Sequence, residues 1–218
     1  MRKNKFFTPK QMVMLALLAS IAYLIVSLVR VPVVLFLKYE PKDVIITIGG
    51  FLMGPMAVLI SSSVVALIEM FTISDTGIIG CIMNFLSTCA FAVPAAFVYK
   101  RRHTMSGAIA GLVTGTVVMV CTMLLWNYLI TPLYMTGTSR SDIAGMLVPV
   151  FLPFNLLKAG LNSSFILLLY KPLVVSLRKA GLLPATGKTG NTKLGVLIFA
   201  ALLLISCVLY VLVLRGII

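Results

Sequence analysis

The sequence predicts an all-α fold: a polytopic helix bundle in a membrane, with a six-helix core and one additional C-terminal transmembrane helix. Three observations lead there. Hydrophobic residues make up 61% of the 218 and charged residues only 11%, with a mean hydropathy of +1.13, and a soluble domain cannot hide that much apolar surface. The apolar residues fall in long blocks, at about 11–29, 43–71, 78–99, 106–134, 148–170 and 194–214. The charges between the blocks carry a bias of sign that selects one orientation. The length suits one membrane domain, with no room for a soluble domain beside it.

The first block follows a basic start, "MRKNKFF", as a signal peptide would. It is long enough to span, however, and its Ala-Ser-Ile-Ala lies inside the apolar run rather than after it, so a retained helix is expected. Ala16 and Ser20 are four apart and share a face, with Ala19 beside them. Such a small-residue patch lets another helix approach closely in lipid, either within the bundle or from a separate membrane partner.

The second block is the anomaly. As one helix its 29 residues would reach about 43 Å, well beyond a hydrocarbon core of roughly 30 Å. Its middle reads "TIGGFLMGPMAV", with Gly49, Gly50, Gly54 and Pro55 where a helix is weakest. The block is therefore expected to split at Gly54-Pro55 and to enter and leave on the same side, as one short helix and one longer one or as a re-entrant pair.

The next three blocks carry uncharged polar groups at their outer ends. In "ISDTGIIGCIMNF", Thr76, Gly80 and Asn84 recur every four residues and line one helix face. The fourth block ends in "LLWNYLITPLY", with Trp126, Asn127, Tyr128 and Tyr134. The fifth carries "FLPFNLLKAGLNSS", where Asn155 and Lys158 are three apart and share a face. A lysine near mid-helix costs about 2.5–3.5 kcal/mol on insertion scales, so Lys158 should point inward and find a partner. No span supplies an evident acidic counter-ion, so a ligand carbonyl or anion is expected to fill that role. Pro149 and Pro153 loosen the start of this helix and leave room for a water-filled cavity.

Residues 1–180 are expected to form the membrane domain and 181–193, rich in Gly, Pro and Thr, a cytoplasmic linker. Residues 194–218 form the additional, uniformly aliphatic transmembrane helix. With the second block folded back, 12 of the 18 basic residues face the cytoplasm, among them Lys100, Arg101 and Arg102. Glu40, Asp43, Asp75 and Asp142 fall in outer loops, with Glu69 close to that surface. The chain is thus expected to be a multi-pass protein of the cell membrane, with a cytoplasmic N-terminus and an extracellular C-terminus. The net charge of +13 reflects loops facing anionic lipid rather than a nucleic-acid partner.

Several chemistries are excluded. "GLLPATGKTG" has Leu182 where a phosphate-binding loop needs its first glycine, so any ATP must be hydrolysed by another chain. His103, the one histidine, lies in a basic loop, which removes Ser-His-Asp catalysis and His-based zinc sites. No span holds a pair of carboxylates, so an enzyme is not expected. The four cysteines sit singly in apolar segments and form no metal-binding pair. Amides, one lysine and aromatic rings suit a flat, mostly neutral, hydrogen-bond-rich solute such as a heterocyclic vitamin or a nucleobase-like molecule.

"FLKYEPKDVIITIGGFLMGPMAVLI", "GCIMNFLST", "WNYLITPLYM" and "LPFNLLKAGLNS" resemble the riboflavin-specific S component of energy-coupling-factor (ECF) transporters, over about residues 8 to 180. The resemblance implies a six-helix bundle that captures riboflavin from outside the cell, with the first extracellular loop as a gate and no cofactor beyond the transported ligand. It implies docking, through small residues of the first helix (here Ala16, Ala19 and Ser20), to a transmembrane coupling protein and two ATP-binding-cassette ATPases. Carried over to this chain, Asn127, Asn155 and Lys158 would hydrogen-bond the isoalloxazine edge. Thr76, Gly80 and Asn84 would line the same pocket, and Leu37, Tyr39 and Glu40 would belong to the gate. An S component for thiamine or pantothenate, and a structural membrane subunit whose polar residues only pack, remain the alternatives.

Overall fold

The computed structural model describes residues 7–35, 37–74, 76–135, 137–182 and 194–214. Most of the expected linker at 181–193 lies outside the described residues, as do Asp75 and the first basic residues of the chain.

The chain folds as helix α1 (Pro9–Leu28), a β-hairpin of β1 (Val31–Val34) and β2 (Leu37–Tyr39), then α2 (Lys42–Met53), α3 (Pro55–Thr72), α4 (Gly77–Arg102) and α5 (Met105–Tyr134). A short α6 (Arg140–Met146) runs through one wide π-helical turn (Leu147–Phe151) into α7 (Leu152–Lys179), and α8 (Leu194–Leu214) follows. Among the described residues, six helical segments are long and apolar enough to cross a membrane: α1, α3, α4, α5, the combined Arg140–Lys179 segment and α8. The bundle is the expected all-α membrane architecture.

Among the described residues, the hairpin departs from the all-helical expectation. The stretch preceding α2, read from sequence as a loop, pairs antiparallel with Val31 opposite Tyr39 and Pro32 opposite Lys38. The register shifts between Pro32 and Val34, which suits an edge strand whose proline cannot donate to a ladder.

The second apolar block folds back as its length requires. At Gly54 the backbone takes φ 92°, a conformation that glycine adopts without the clash of a Cβ, and Pro55 opens α3. α2 has 12 residues and α3 has 18, or about 18 and 27 Å at 1.5 Å per residue. The two ends of the block meet again, since Lys42 on the first turn of α2 contacts Glu69 on the last turns of α3.

Close packing of α4 on α5 sets the scaffold. Gly111 and Gly115 place α5 so near its neighbour that a Cβ would lie 2.6 Å from the Ala95 carbonyl oxygen and 2.2 Å from that of Phe91. Small residues four apart are how helices approach in lipid, where contact rather than hydrophobic exclusion holds them together. The main core fills the space inside this frame with Leu18, Ile48, Phe91, Ala95, Met119 and Ile166 among others. A second cluster lies under the hairpin, joining Val33, Leu37 and Tyr39 to Ile143, Phe151, Phe154, Leu157 and Leu161. α8 lies along α7 with little of its surface buried, and its Leu204, Cys207 and Val211 close the side of that second cluster.

Candidate functional site

The hairpin covers a cavity of about 170 Å³ between α4, α5 and α7, which has room for on the order of ten water molecules. Eight of the nine residues expected to form the pocket from sequence lie on its wall: Leu37, Glu40, Thr76, Gly80, Asn84, Asn127, Asn155 and Lys158. They reach it from the hairpin and the residue that follows it, from the start and first two turns of α4, from the C-terminal third of α5 and from the first turns of α7.

Local structure explains each placement. Thr76 precedes the first turn of α4, and the four-residue step to Gly80 puts both on one face. A Cβ on Gly80 would lie 1.8 Å from the Thr76 hydroxyl oxygen, so glycine there leaves the hydroxyl its place. Asn127 donates from Nδ2 to the Met123 carbonyl at 2.7 Å and accepts from Thr131 Oγ1 at 3.0 Å. Asn155 likewise donates from Nδ2 to the Phe151 carbonyl at 2.7 Å, at the end of the wide turn carrying Pro149. Each amide nitrogen has two hydrogens and spends one on its own helix, so a second donor remains on each. Two anchored carboxamides therefore present a fixed donor pattern to the cavity.

Lys158 corrects an expectation. Its ammonium is not without an anion in its own chain: Asp43 Oδ2 lies 3.1 Å away, and Ser87 Oγ accepts from it at 3.0 Å. Asp43 was assigned to an outer loop, but α2 begins at Lys42, so its first turn carries Asp43 into the bundle, where it is fully buried. The pair satisfies the requirement that a charge in low dielectric be compensated. Glu40, also assigned to an outer loop, is likewise buried, and so is Glu69, which was expected close to that surface. Lys42 Nζ lies 2.9 Å from Glu40 and 2.5 Å from Glu69, and Arg30 bonds Glu40 at 2.9 Å. Asn84 donates to Glu69 at 3.0 Å. Of the acids assigned to outer loops, Asp142 alone among the described residues is exposed, where it completes a capping box with Ser139 at the start of α6.

Burial alone would raise the pKa of the Glu40 carboxyl, but the cations of Lys42, Lys158 and Arg30 outweigh it and hold it below its ordinary value of 4.5. Glu40 is thus an anion at neutral pH on the wall of the cavity. For Tyr39 burial comes first and the neighbouring Asp43 second, and both push its phenol well above the usual range, so it stays a neutral donor.

Tyr39 is the residue that misses the cavity. Its side chain turns into the bundle and its hydroxyl donates to Asn162 Oδ1 at 3.1 Å. The aromatic wall also differs from expectation, being supplied by Tyr134 and Phe154. Trp126 packs against the main core and Tyr128 is exposed. Sequence reasoning omitted Arg30, Ser74, Met83, Ser87 and Met123 from the pocket. Ser87 had a readable signal, being a polar residue three positions after Asn84 in the quoted "GCIMNFLST" and so close to the same helix face. On α1, Ala16 and Ser20 are exposed on one face, whereas Ala19 is buried in the main core and offers nothing to a partner.

The sequence model of the family described as "ECF transporter, substrate-specific component" matches residues 10–170, most of the chain. The chain belongs to the ECF substrate-specific components. Among curated proteins this S component is 28% identical over 187 residues to "Riboflavin transporter RibU" of Staphylococcus aureus (strain TCH60), with 82% of this chain and 97% of that one covered. It is also 28% identical over 185 residues to "Riboflavin transporter FmnP" of Bacillus subtilis (strain 168), with 78% and 97% covered. A solved structure titled "Structure and mechanism of the S component of a bacterial ECF transporter" superposes with a TM-score of 0.63 at 27% identity, covering 78% of this chain and 98% of that one. This S component is accordingly a multi-pass membrane transport protein, and its relatives are transporters rather than enzymes. The family match ends at residue 170, short of α8.

Proposed function

We propose that this S component captures riboflavin in the cavity beneath the hairpin, from the extracellular side, and delivers it inward when docked to a transmembrane coupling protein and two ATP-binding-cassette ATPases. One observation carries the reading: in a chain similar to named riboflavin transporters, Asn127, Asn155 and Lys158 converge on one cavity that Tyr134 and Phe154 also line. Carboxamides and an ammonium match the carbonyl and imide edge of an isoalloxazine, and the rings match its faces. Glu40 and Leu37 belong to the hairpin that covers the ligand, and Thr76, Gly80 and Asn84 form the opposite wall. The hairpin and the cavity lie on the extracellular side, with the Gly54 turn and the basic end of α4 in the cytoplasm together with the N-terminus. After α8 the C-terminus is extracellular. No cofactor is needed, since the flavin is cargo.

The visible spectrum of the detergent-purified protein tests this directly. Bound riboflavin gives flavin absorbance in a one-to-one ratio to protein, and added riboflavin loses its fluorescence on binding. A colourless protein that quenches no added riboflavin rules the reading out.

A further inference from the structure

Asp43 is fully buried behind the pocket rather than on its wall, yet it is the node through which the pocket's ammonium is held. One oxygen, Oδ2, receives Lys158 Nζ at 3.1 Å and Asn162 Nδ2 at 3.4 Å, and the other, Oδ1, accepts from Thr88 Oγ1 at 2.6 Å. Asn162 in turn accepts from the Tyr39 hydroxyl at 3.1 Å. Tyr39 is on β2, beside Lys38 and Glu40, which line the cavity. A continuous chain of polar contacts thus runs from the covering hairpin, through Asn162 and Asp43, to the ammonium on the cavity wall.

We infer that Asp43 is a positioning residue of the binding site, fixing Lys158 against the cavity and tying that placement through Asn162 to the seating of Tyr39 in the hairpin. The inference rests on the proposal that flavin occupies this cavity. A long lysine side chain has many rotamers, and holding its head at one point requires an anchor in addition to the ligand. Ser87 supplies one neutral acceptor. Asp43 supplies the charge, and because it sits behind the wall it leaves the ammonium's remaining donor directed at the ligand. If the hairpin lifts, the Tyr39 hydroxyl leaves Asn162, and the amide that braces Asp43 loses its own orienting partner. Closure of the hairpin and placement of Lys158 are therefore coupled.

The test is a double-mutant cycle on the purified full-length chain, read by riboflavin fluorescence quenching. Asp43→Asn is expected to raise Kd roughly tenfold or more, because a charge-assisted hydrogen bond is lost. In a Lys158→Met background the same change is expected to alter Kd by no more than about twofold, the scatter of independent sites. Tyr39→Phe removes a single hydroxyl, keeps the packing and follows the same rule with a smaller effect. Asp43→Glu, which retains the charge, recovers part of the loss. Equal penalties for Asp43→Asn, or for Tyr39→Phe, in both backgrounds overturn the inference. Melting temperatures of the ligand-free proteins give a second cycle, in which the Asp43→Asn, Lys158→Met pair must be less damaging than the sum of its singles, and additive losses overturn it. A wild-type chain that binds no flavin sinks the flavin reading alone, since the melting cycle still decides whether Asp43 holds Lys158.

Discussion

The ammonium of Lys42 lies within 2.6 Å of both carboxylate oxygens of Glu69, joining the first turn of α2 to the last turns of α3. Glu40 completes the group from the hairpin at 2.9 Å, so one buried cation serves two anions from two elements. Removing it leaves both carboxylates without that cation in a low-dielectric interior. Lys42→Met is expected to destabilise the protein by about 3–5 kcal/mol, the usual cost of breaking a buried ion pair from one side. A fall of several degrees in the detergent melting temperature checks this. A Lys42→Met, Glu69→Gln double variant should recover part of the loss, because it removes charge from both sides.

Acid should loosen the hairpin. The folded-state pKa of Glu40 lies below its ordinary value of 4.5 because three cations face it. Its contribution is therefore fully present above about pH 4.5 and is lost as pH falls through the depressed folded value. Riboflavin dissociation should accelerate below pH 4.5, and Glu40→Gln should dissociate faster at neutral pH while losing that acid step. Stopped-flow recovery of flavin fluorescence gives both measurements, and an unchanged acid step in Glu40→Gln assigns the titration to another group.

Features carried by local chemistry were legible in the sequence, and features made by contact between distant segments were not. Gly54-Pro55 announced the fold-back because a helix cannot continue through that pair without penalty, and the block was too long for one crossing. The four-residue step of Thr76, Gly80 and Asn84 put three pocket residues on one face before any packing was known. Asp43 could not be recognised as the counter-ion of Lys158. It follows Glu40 and Lys42 in a charged run that reads as a loop, and only the docking of α2 against α7 brings the two together. The hairpin was hidden for a related reason, since its strands are short, interrupted by Pro32 and too apolar to alternate. Gly111 and Gly115 are spaced by four in plain view, but their meaning comes from the α4 backbone that fills the space they leave.

That close approach is itself testable. A methyl at position 115 would lie 2.2 Å from the Phe91 carbonyl oxygen, and backbone cannot swing aside as a side-chain tip can. Gly115→Ala is expected to push α4 and α5 apart and cost about 1–3 kcal/mol as overpacking, read as a lower melting temperature. Gly145, which has open space around its would-be Cβ, provides the control. Gly145→Ala on α6 should leave stability unchanged or slightly raised.

If flavin occupies the cavity as proposed, Asn127→Ala and Lys158→Ala should each weaken riboflavin binding by about 1–3 kcal/mol, since each deletes a hydrogen-bond donor from the cavity wall. Thr131 is a milder case. Its hydroxyl donates to Asn127 Oδ1 and touches Tyr134 at 3.2 Å, so Thr131→Val should release the carboxamide and cost less than Asn127→Ala. Titration by fluorescence quenching ranks the three. Unchanged affinity in both Asn127→Ala and Lys158→Ala would remove this cavity from consideration as the flavin site.

The exposed face of α1 offers a test of the proposed docking to a coupling protein. Ala16 and Ser20 lie on that face with Val13 and Leu17, while Ala19 faces inward with Leu18 and Ala22. A coupling protein that packs against small residues needs the outward pair and cannot touch Ala19. Ala16→Leu and Ser20→Leu should therefore abolish riboflavin uptake in cells supplied with the ATPase module and leave binding by the purified subunit intact. Ala19→Leu should instead overpack the core, at a cost of about 1–3 kcal/mol, and reduce folding, binding and uptake together. Uptake assays beside quenching titrations on the same three variants distinguish the two faces. Loss of binding in Ala16→Leu or Ser20→Leu would mean that this face serves the bundle's own packing and that the coupling protein docks elsewhere.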